Sequence, residues 1–251
     1  MKLKVMTFNL RIPSESDGIN HFDNRKQLVL ETIEKEQPDL IGFQEATDST
    51  KAFLRANLPS CYTLLGCGRK AGYRGESAPI AYRNDKFELI SFDTFWLSDT
   101  PSVPESRYEN SDQSSCPRLT VHATLHAQGM AQPIQFYNTH LDHKGAEART
   151  LGMRAIIKDI KNPSATFILT GDMNATPDEQ CIKEILADPS VTDTTASIPT
   201  SFHCFGKKSD AHKIDYIFTN GKSVRAYAVD DPHENGIYIS DHYPVCAILD
   251  L

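Results

Sequence analysis

The strongest constraint on this chain is a strand that runs into oxygen donors. Thr166-Phe167-Ile168-Leu169-Thr170 is apolar and β-branched, the pattern of a buried strand. It continues into Gly171-Asp172-Met173-Asn174, and Pro177 breaks the pattern soon after. On an extended backbone Asp172 and Asn174 stand at i and i+2 and project to one side. Both are hard oxygen donors, suited to Mg²⁺ or to the water and phosphate around it. A strand ending in an Asx turn explains the same residues equally well.

Repetition decides between the two. Residues 4–8 form a strand run closing on Asn9, residues 39–43 close on Gln44-Glu45, and residues 134–137 close on Asn138-Thr139-His140. Lys213-Ile214-Asp215-Tyr216-Ile217-Phe218 embeds a carboxylate in an apolar strand, and Ser240-Asp241-His242-Tyr243-Pro244 precedes the final one. An acid inside an apolar strand is costly unless it is paired or metal-bound. Each case alone has a structural explanation: a turn, a cap, a satisfied histidine, a buried ion pair. Together they point to one composite site.

In this order, Thr7-Phe8-Asn9, Gln44-Glu45, Asn138-Thr139-His140-Leu141, Gly171-Asp172-Met173-Asn174, Ile214-Asp215-Tyr216-Ile217 and Ser240-Asp241-His242 resemble the endonuclease/exonuclease/phosphatase superfamily of metal-dependent phosphohydrolases. The look is that of compact bacterial members near the deadenylase and nocturnin branch. The motifs span residues 7–242, so the resemblance covers nearly the whole chain. It implies an α/β fold, a four-layer α/β/β/α sandwich of two packed mixed β-sheets flanked by helices. The site is expected at one edge of the two sheets.

The pattern along the chain agrees. Residues 24–37 and 146–160 carry apolar positions at helical spacing, and Pro38 stops the first. Residues 62–65, 78–83, 87–92, 119–126 and 134–137 read as strands. A chain of 251 residues buries roughly 70–75% of its unfolded surface, enough for one large core. No linker, low-complexity stretch or repeat interrupts it, so residues 1–251 read as a single domain. Six scattered cysteines with no CxxC pair read as reduced thiols, and no leader or membrane span is evident. A cytoplasmic location is the expectation. A net charge of −7 gives no footprint for long duplex DNA, so no stable duplex partner is expected.

The resemblance then assigns roles. Glu45 is the expected primary ligand of Mg²⁺ (with Mn²⁺ an allowed substitute), and Asn9 and Asp241 stand close to the metal. Asp172 orients or deprotonates the attacking water, and Asn174 holds water or a phosphoryl oxygen. His242 hydrogen-bonds the phosphate or serves as base, Asp215 fixes its tautomer, and His140 stabilises the transition-state oxygens. Arg118 is read either as a substrate-phosphate contact or as a surface ion pair. His143 and Glu76 are further substrate-side candidates, and Trp96 is read as core in preference to a base-stacking platform.

The reaction implied is in-line hydrolysis of a phosphoester by water, without a covalent intermediate. The leading expectation is a phosphodiesterase or exonuclease acting on an RNA end or a nucleotide. The alternative is a phosphatase or sphingomyelinase-type hydrolase on a small or lipid phosphoester, for which residues 92–96 offer a modest exposed apolar loop. A catalytically inactive binding protein is disfavoured, because every metal and phosphate position is occupied. His140 stands where abasic-site endonucleases carry Tyr, which argues against DNA repair.

Overall fold

The first helix shows how local sequence sets the element boundaries. In the computed structural model, which describes residues 1–160, 165–207, 211–229 and 235–251, α1 spans Phe22–Glu36. His21 caps it by accepting the Asp23 N–H at Nδ1, and Gln37 ends it in the left-handed region (φ 47°), ahead of Pro38. Val29, Leu30 and Ile33 form its buried face. Each such side chain contributes about 1.5–3 kcal/mol on burial. A second helix, α2 (Asp48–Asn57), begins at Thr47, whose hydroxyl accepts the Thr50 N–H. Further along, α3 (Ala146–Asp159) has no side-chain cap of its own, and Asp112 accepts the N–H groups of Glu147 and Ala148 from a distant loop. The short α4 spans Gln180–Ile185.

Among the described residues the strands form two sheets of six. One contains β1 (Lys2–Asn9), β2 (Leu40–Gln44), β3 (Tyr62–Leu65), β4 (Ile80–Arg83), β11 (Lys222–Ala228) and β12 (Val245–Asp250), in the order β11-β12-β1-β2-β4-β3. The other contains β5 (Phe87–Trp96), β6 (Leu119–Ala127), β7 (Ile134–His140), β8 (Thr166–Asp172), β9 (Thr192–Asp193) and β10 (Asp215–Thr219), in the order β5-β6-β7-β8-β10-β9. Both sheets are mixed. β1 runs parallel to β2 and β7 parallel to β8, while the remaining pairings are antiparallel. Between the sheets lies an apolar layer that includes Val5, Leu40, Val121, Phe136, Ile168, Ile217 and Val245. α1 and α2 cover the outside of one sheet, α3 and α4 the outside of the other. The architecture is the expected four-layer sandwich.

Several boundaries differ from the sequence reading. β5 runs on to Trp96, so residues 92–96 are paired strand instead of an exposed loop. Trp96 is buried, in line with its reading as core, and donates from Nε1 to the Arg69 carbonyl (2.7 Å), which removes it as a stacking platform. β7 and β8 extend through the motif residues themselves, with Thr139 opposite Gly171 and His140 opposite Asp172. The polar edge strand β11, with its irregularity between Ser223 and Arg225, carries little apolar signal and was not anticipated. All six cysteines are free thiols, as expected. No helix among the described residues is long and apolar enough to cross a membrane.

A polar strut ties the sheets together beneath the strand ends. Asn138 donates from Nδ2 to the carbonyls of Phe43, Ala78 and Pro79 (2.7–3.1 Å). Its Oδ1 accepts from Gln44 Nε2 (2.8 Å) and Thr170 Oγ1 (3.0 Å). Gly42 makes room for it: a Cβ there would lie 2.0 Å from Thr170 Oγ1 and 2.4 Å from Asn138 Oδ1. Gly42→Ala is therefore expected to destabilise the protein by about 1–3 kcal/mol, the usual range for overpacking. Equilibrium urea unfolding checks this, and an unchanged midpoint would show that the sheets are not in obligatory contact here.

Candidate active site

The parallel strand pairs end side by side. β1 and β2 deliver Asn9 and Glu45 from one sheet, and β7 and β8 deliver His140 and Asp172 from the other. Ligands gather at the carboxyl ends of parallel strands because the chain there turns into loops that can present side chains to a crevice. Arg11 (φ 54°), Glu45 (φ 59°), Asn174 (φ 47°), Cys204 (φ 46°) and Phe205 (φ 54°) line this crevice and hold left-handed backbone without being glycine. Such conformations cost of order 1–3 kcal/mol each and persist where the surroundings enforce them.

Asn9 stands at the centre. Its Nδ2 donates to Glu45 Oε1 (3.2 Å) and Asp172 Oδ2 (2.9 Å), while its Oδ1 accepts the Arg11 N–H (2.9 Å). The Asn9 oxygen is therefore engaged away from the carboxylates, which makes this amide an orienting group for the two acids. Glu45 Oε2 accepts the Ile12 N–H, and Asp172 Oδ1 accepts the Asn174 N–H (both 2.9 Å). Ligand atoms of Glu45, His140 and Asp172 all lie within 4.8 Å of one another, and those of Asp172, Asp215 and His242 do likewise. Asp241 belongs to neither group; it lines the same crevice and faces Arg11 (3.7 Å).

The two histidines have opposite characters. Burial, helped by the Arg118 charge, lowers His140 to about 3, so its imidazole is neutral. Asn174 Nδ2 donates both to the Leu141 carbonyl (3.1 Å) and to His140 Nε2 (2.9 Å). That bond makes Nε2 the acceptor and leaves the ring proton on Nδ1. Burial also works against charge on His242, but Asp215, Asp241 and Asp172 overcome it and raise the group to about 10. His242 Nδ1 lies 2.8 Å from Asp215 Oδ2, and its Nε2 lies 3.8 Å from Asp172 Oδ2. Burial, reinforced by Asp215, pushes the Asp172 carboxyl above the usual carboxylate range.

A cavity of about 800 Å³ opens above this floor. One wall carries Arg11, which grips Asp17 through two bonds of 3.0 Å. A second carries Glu76, bonded to Arg69 Nη1 (2.7 Å), with Arg118 and His143 beside it. A third carries Phe202, Phe205, His212 and Lys207. Arg118 is buried, only 4% exposed, so the surface ion-pair alternative does not hold.

All eleven residues singled out from sequence line this cavity except Asn9 and Asp215, which stand directly behind it in contact with Asp172 and His242. Arg11, Asp17, Phe202, Phe205 and Lys207 were not singled out. The run Ser201-Phe202-His203-Cys204-Phe205, just upstream of Asp215, was the available signal for the aromatic wall.

The family model for the Endonuclease/Exonuclease/phosphatase family matches residues 6–242. Among solved structures, the chain is similar to an endonuclease/exonuclease/phosphatase from Bacteroides vulgatus, at 31% identity and a TM-score of 0.90, over 100% of this chain and 99% of that one. It is also similar to a mannosyl-6-phosphatase from Bacteroides thetaiotaomicron, at 26% identity and a TM-score of 0.89, over 99% and 100% of the two chains. The human nocturnin catalytic domain shares the fold, at 18% identity and a TM-score of 0.74, over 99% and 93%.

Proposed function

Since this chain belongs to the Endonuclease/Exonuclease/phosphatase family and is a phosphoester hydrolase, we propose that it hydrolyses a small, hydroxyl-rich phosphoester, such as a phosphorylated sugar, with Mg²⁺ as cofactor. The observation that carries this reading is the cavity itself. At about 800 Å³ it falls within the range of small-molecule sites. Its walls present ion-paired Arg–carboxylate groups, Arg11–Asp17 and Arg69–Glu76, whose donors and acceptors stand side by side. Adjacent hydroxyls can use both at once. The likeness to a mannosyl-6-phosphatase at 26% identity supports the same substrate class. On this reading residues 1–251 act as one domain, because both sheets supply the site.

The donor set fits a hard divalent cation. Glu45 and Asp172 are carboxylates held beside each other by a single amide, with a neutral His140 alongside, and that arrangement leaves negative charge in excess. When bound there, Mg²⁺ or Mn²⁺ neutralises phosphoryl charge and acidifies water.

The side chains do the rest. Glu45 would hold the ion, with Asn9 orienting the carboxylates and the buried Asp241 facing Arg11 in the same crevice. Asp172, its carboxyl raised by burial, receives the proton of the attacking water at Oδ2, the oxygen nearest both histidines. Asn174 fixes His140 through Nε2. His242, an imidazolium held at Nδ1 by Asp215, donates from Nε2 to a phosphoryl oxygen.

The rings of Phe202 and Phe205 favour a second reading, in which a nucleotide or RNA end stacks at the mouth. Turnover of hexose phosphates, nucleotides, oligo(A), sphingomyelin and abasic duplex DNA separates the readings. Hexose phosphates are expected to turn over fastest with Mg²⁺ and not at all with EDTA. Faster shortening of oligo(A), or faster incision of the duplex, would reject the first reading.

A further inference from the structure

Arg118 precedes β6 and sits at the inner end of the cavity, beside His140 and Glu76. Only Nη2 has a hydrogen-bond partner, His143 Nδ1 at 3.0 Å; Nε and Nη1 are buried and have none. The nearest carboxylates do not satisfy them. Glu76 Oε1 is 3.9 Å from Nη1 and is already taken by Arg69 at 2.7 Å. Asp142 Oδ2 is 3.7 Å from Nε, and its oxygens accept the Ser114 hydroxyl and the N–H groups of Ser114, Lys144 and Gly145. A buried guanidinium with idle donors is costly unless a ligand supplies the acceptor. His140 Nδ1, which carries the ring proton, is also without a partner and lies 3.5 Å from the same Glu76 oxygen. Two of these three idle donors, Arg118 Nη1 and His140 Nδ1, therefore share one corner of the site, beside Glu76 Oε1.

That corner is tight. Arg118, His140 and Glu76, together with Ser77, Ala78 and Leu119, line a void of about 10 Å³, room for one water at most. A phosphoryl group on the floor can send its leaving group toward the mouth, but nothing larger than an oxygen toward Arg118.

We propose that Arg118 is a specificity-determining residue that selects phosphomonoesters over phosphodiesters. Its Nη1 takes a terminal phosphoryl oxygen, with His140 Nδ1–H beside it, at the position where a diester carries its second substituent. A monoester places charge on that oxygen, and charge-assisted bonds to a guanidinium are about twice as strong as neutral ones. A diester places carbon there and leaves both donors unsatisfied.

The inference rests on the small-phosphoester reading, and paired substrates test the two apart. A hexose 6-phosphate and its methyl diester share one leaving group; phenyl phosphate and methyl phenyl phosphate share another that contains no sugar. The wild type with Mg²⁺ is expected to prefer the monoester of each pair in kcat/KM by about a thousandfold. Arg118→Met, which keeps the bulk of the stem, should cost the monoester about a hundredfold and the diester less than about tenfold. The same variant should bind inorganic phosphate, measured by calorimetry, at least about tenfold more weakly. Arg118→Lys retains the charge and should fall between the two, and it serves if the methionine variant fails to fold. Equal losses on monoester and diester, or unchanged phosphate binding, overturn the proposal. Discrimination between the phenyl esters with no hexose phosphate turnover would sink the sugar reading and leave Arg118 in its role.

Discussion

Glu45→Gln is expected to lower turnover by about four decades while the fold stays intact. Several kcal/mol of charge stabilisation are lost with a metal ligand, and each 1.4 kcal/mol is a factor of ten. The fold should tolerate the change because glutamine keeps an oxygen for the Ile12 N–H. The left-handed backbone at Glu45 is no worse for glutamine than for glutamate. Circular dichroism and thermal melting check the fold, and calorimetric Mg²⁺ titration checks the cause. Wild-type metal affinity in a folded, inactive variant would move the ion to the Asp172, Asp215 and His242 group instead.

Asp172→Asn and His242→Ala are each expected to cost roughly two to four decades in turnover, the range for positioned proton-transfer and electrostatic groups. The two should fail differently. The amide oxygen introduced by Asp172→Asn can still accept the Asn174 N–H, so substrate binding should persist while the water loses its base. Removing the His242 imidazole strips a cation from among three carboxylates and leaves Asp215 without its partner. KM should therefore rise in His242→Ala and stay near normal in Asp172→Asn. Near-normal turnover in either variant removes that residue from the mechanism.

The floor of the site was legible because it violates the rules of a core. Asp215 in an apolar strand, and Asp172 at the end of another, are residues that burial penalises. Their positions stand out against the alternation around them. The strands that carry them were legible for the same reason, while the polar edge strand β11 was not. Only the extension of β5 turned on what lies opposite: Leu119 pairs with Trp96, and nothing near residue 96 announces that pairing, whereas the core position of Trp96 agrees with the sequence reading. The cavity walls were least legible. Arg11, Asp17, Phe202 and Phe205 come from loops, and their convergence depends on paths between strands that no local pattern encodes. Arg118 was noticed as a cation, but its idle nitrogens are a property of packing.

The pairing of β1 with β12, Lys2 opposite Asp250, sets a clock on the emergence of activity during synthesis. β1 is made well before β12 and must wait, one edge open, for that partner. Asp241 and His242 follow the same schedule, since they immediately precede β12. Contacts this distant in sequence form late, because the loop-closure entropy must be met before they contribute. A chain stalled between residues 172 and 242 has the β7–α3–β8 unit with His140 and Asp172 but lacks His242, the imidazolium proposed to hold the phosphoryl group. Hydrolytic competence is thus expected only once residue 242 has been made, and shorter nascent fragments should stay chemically silent.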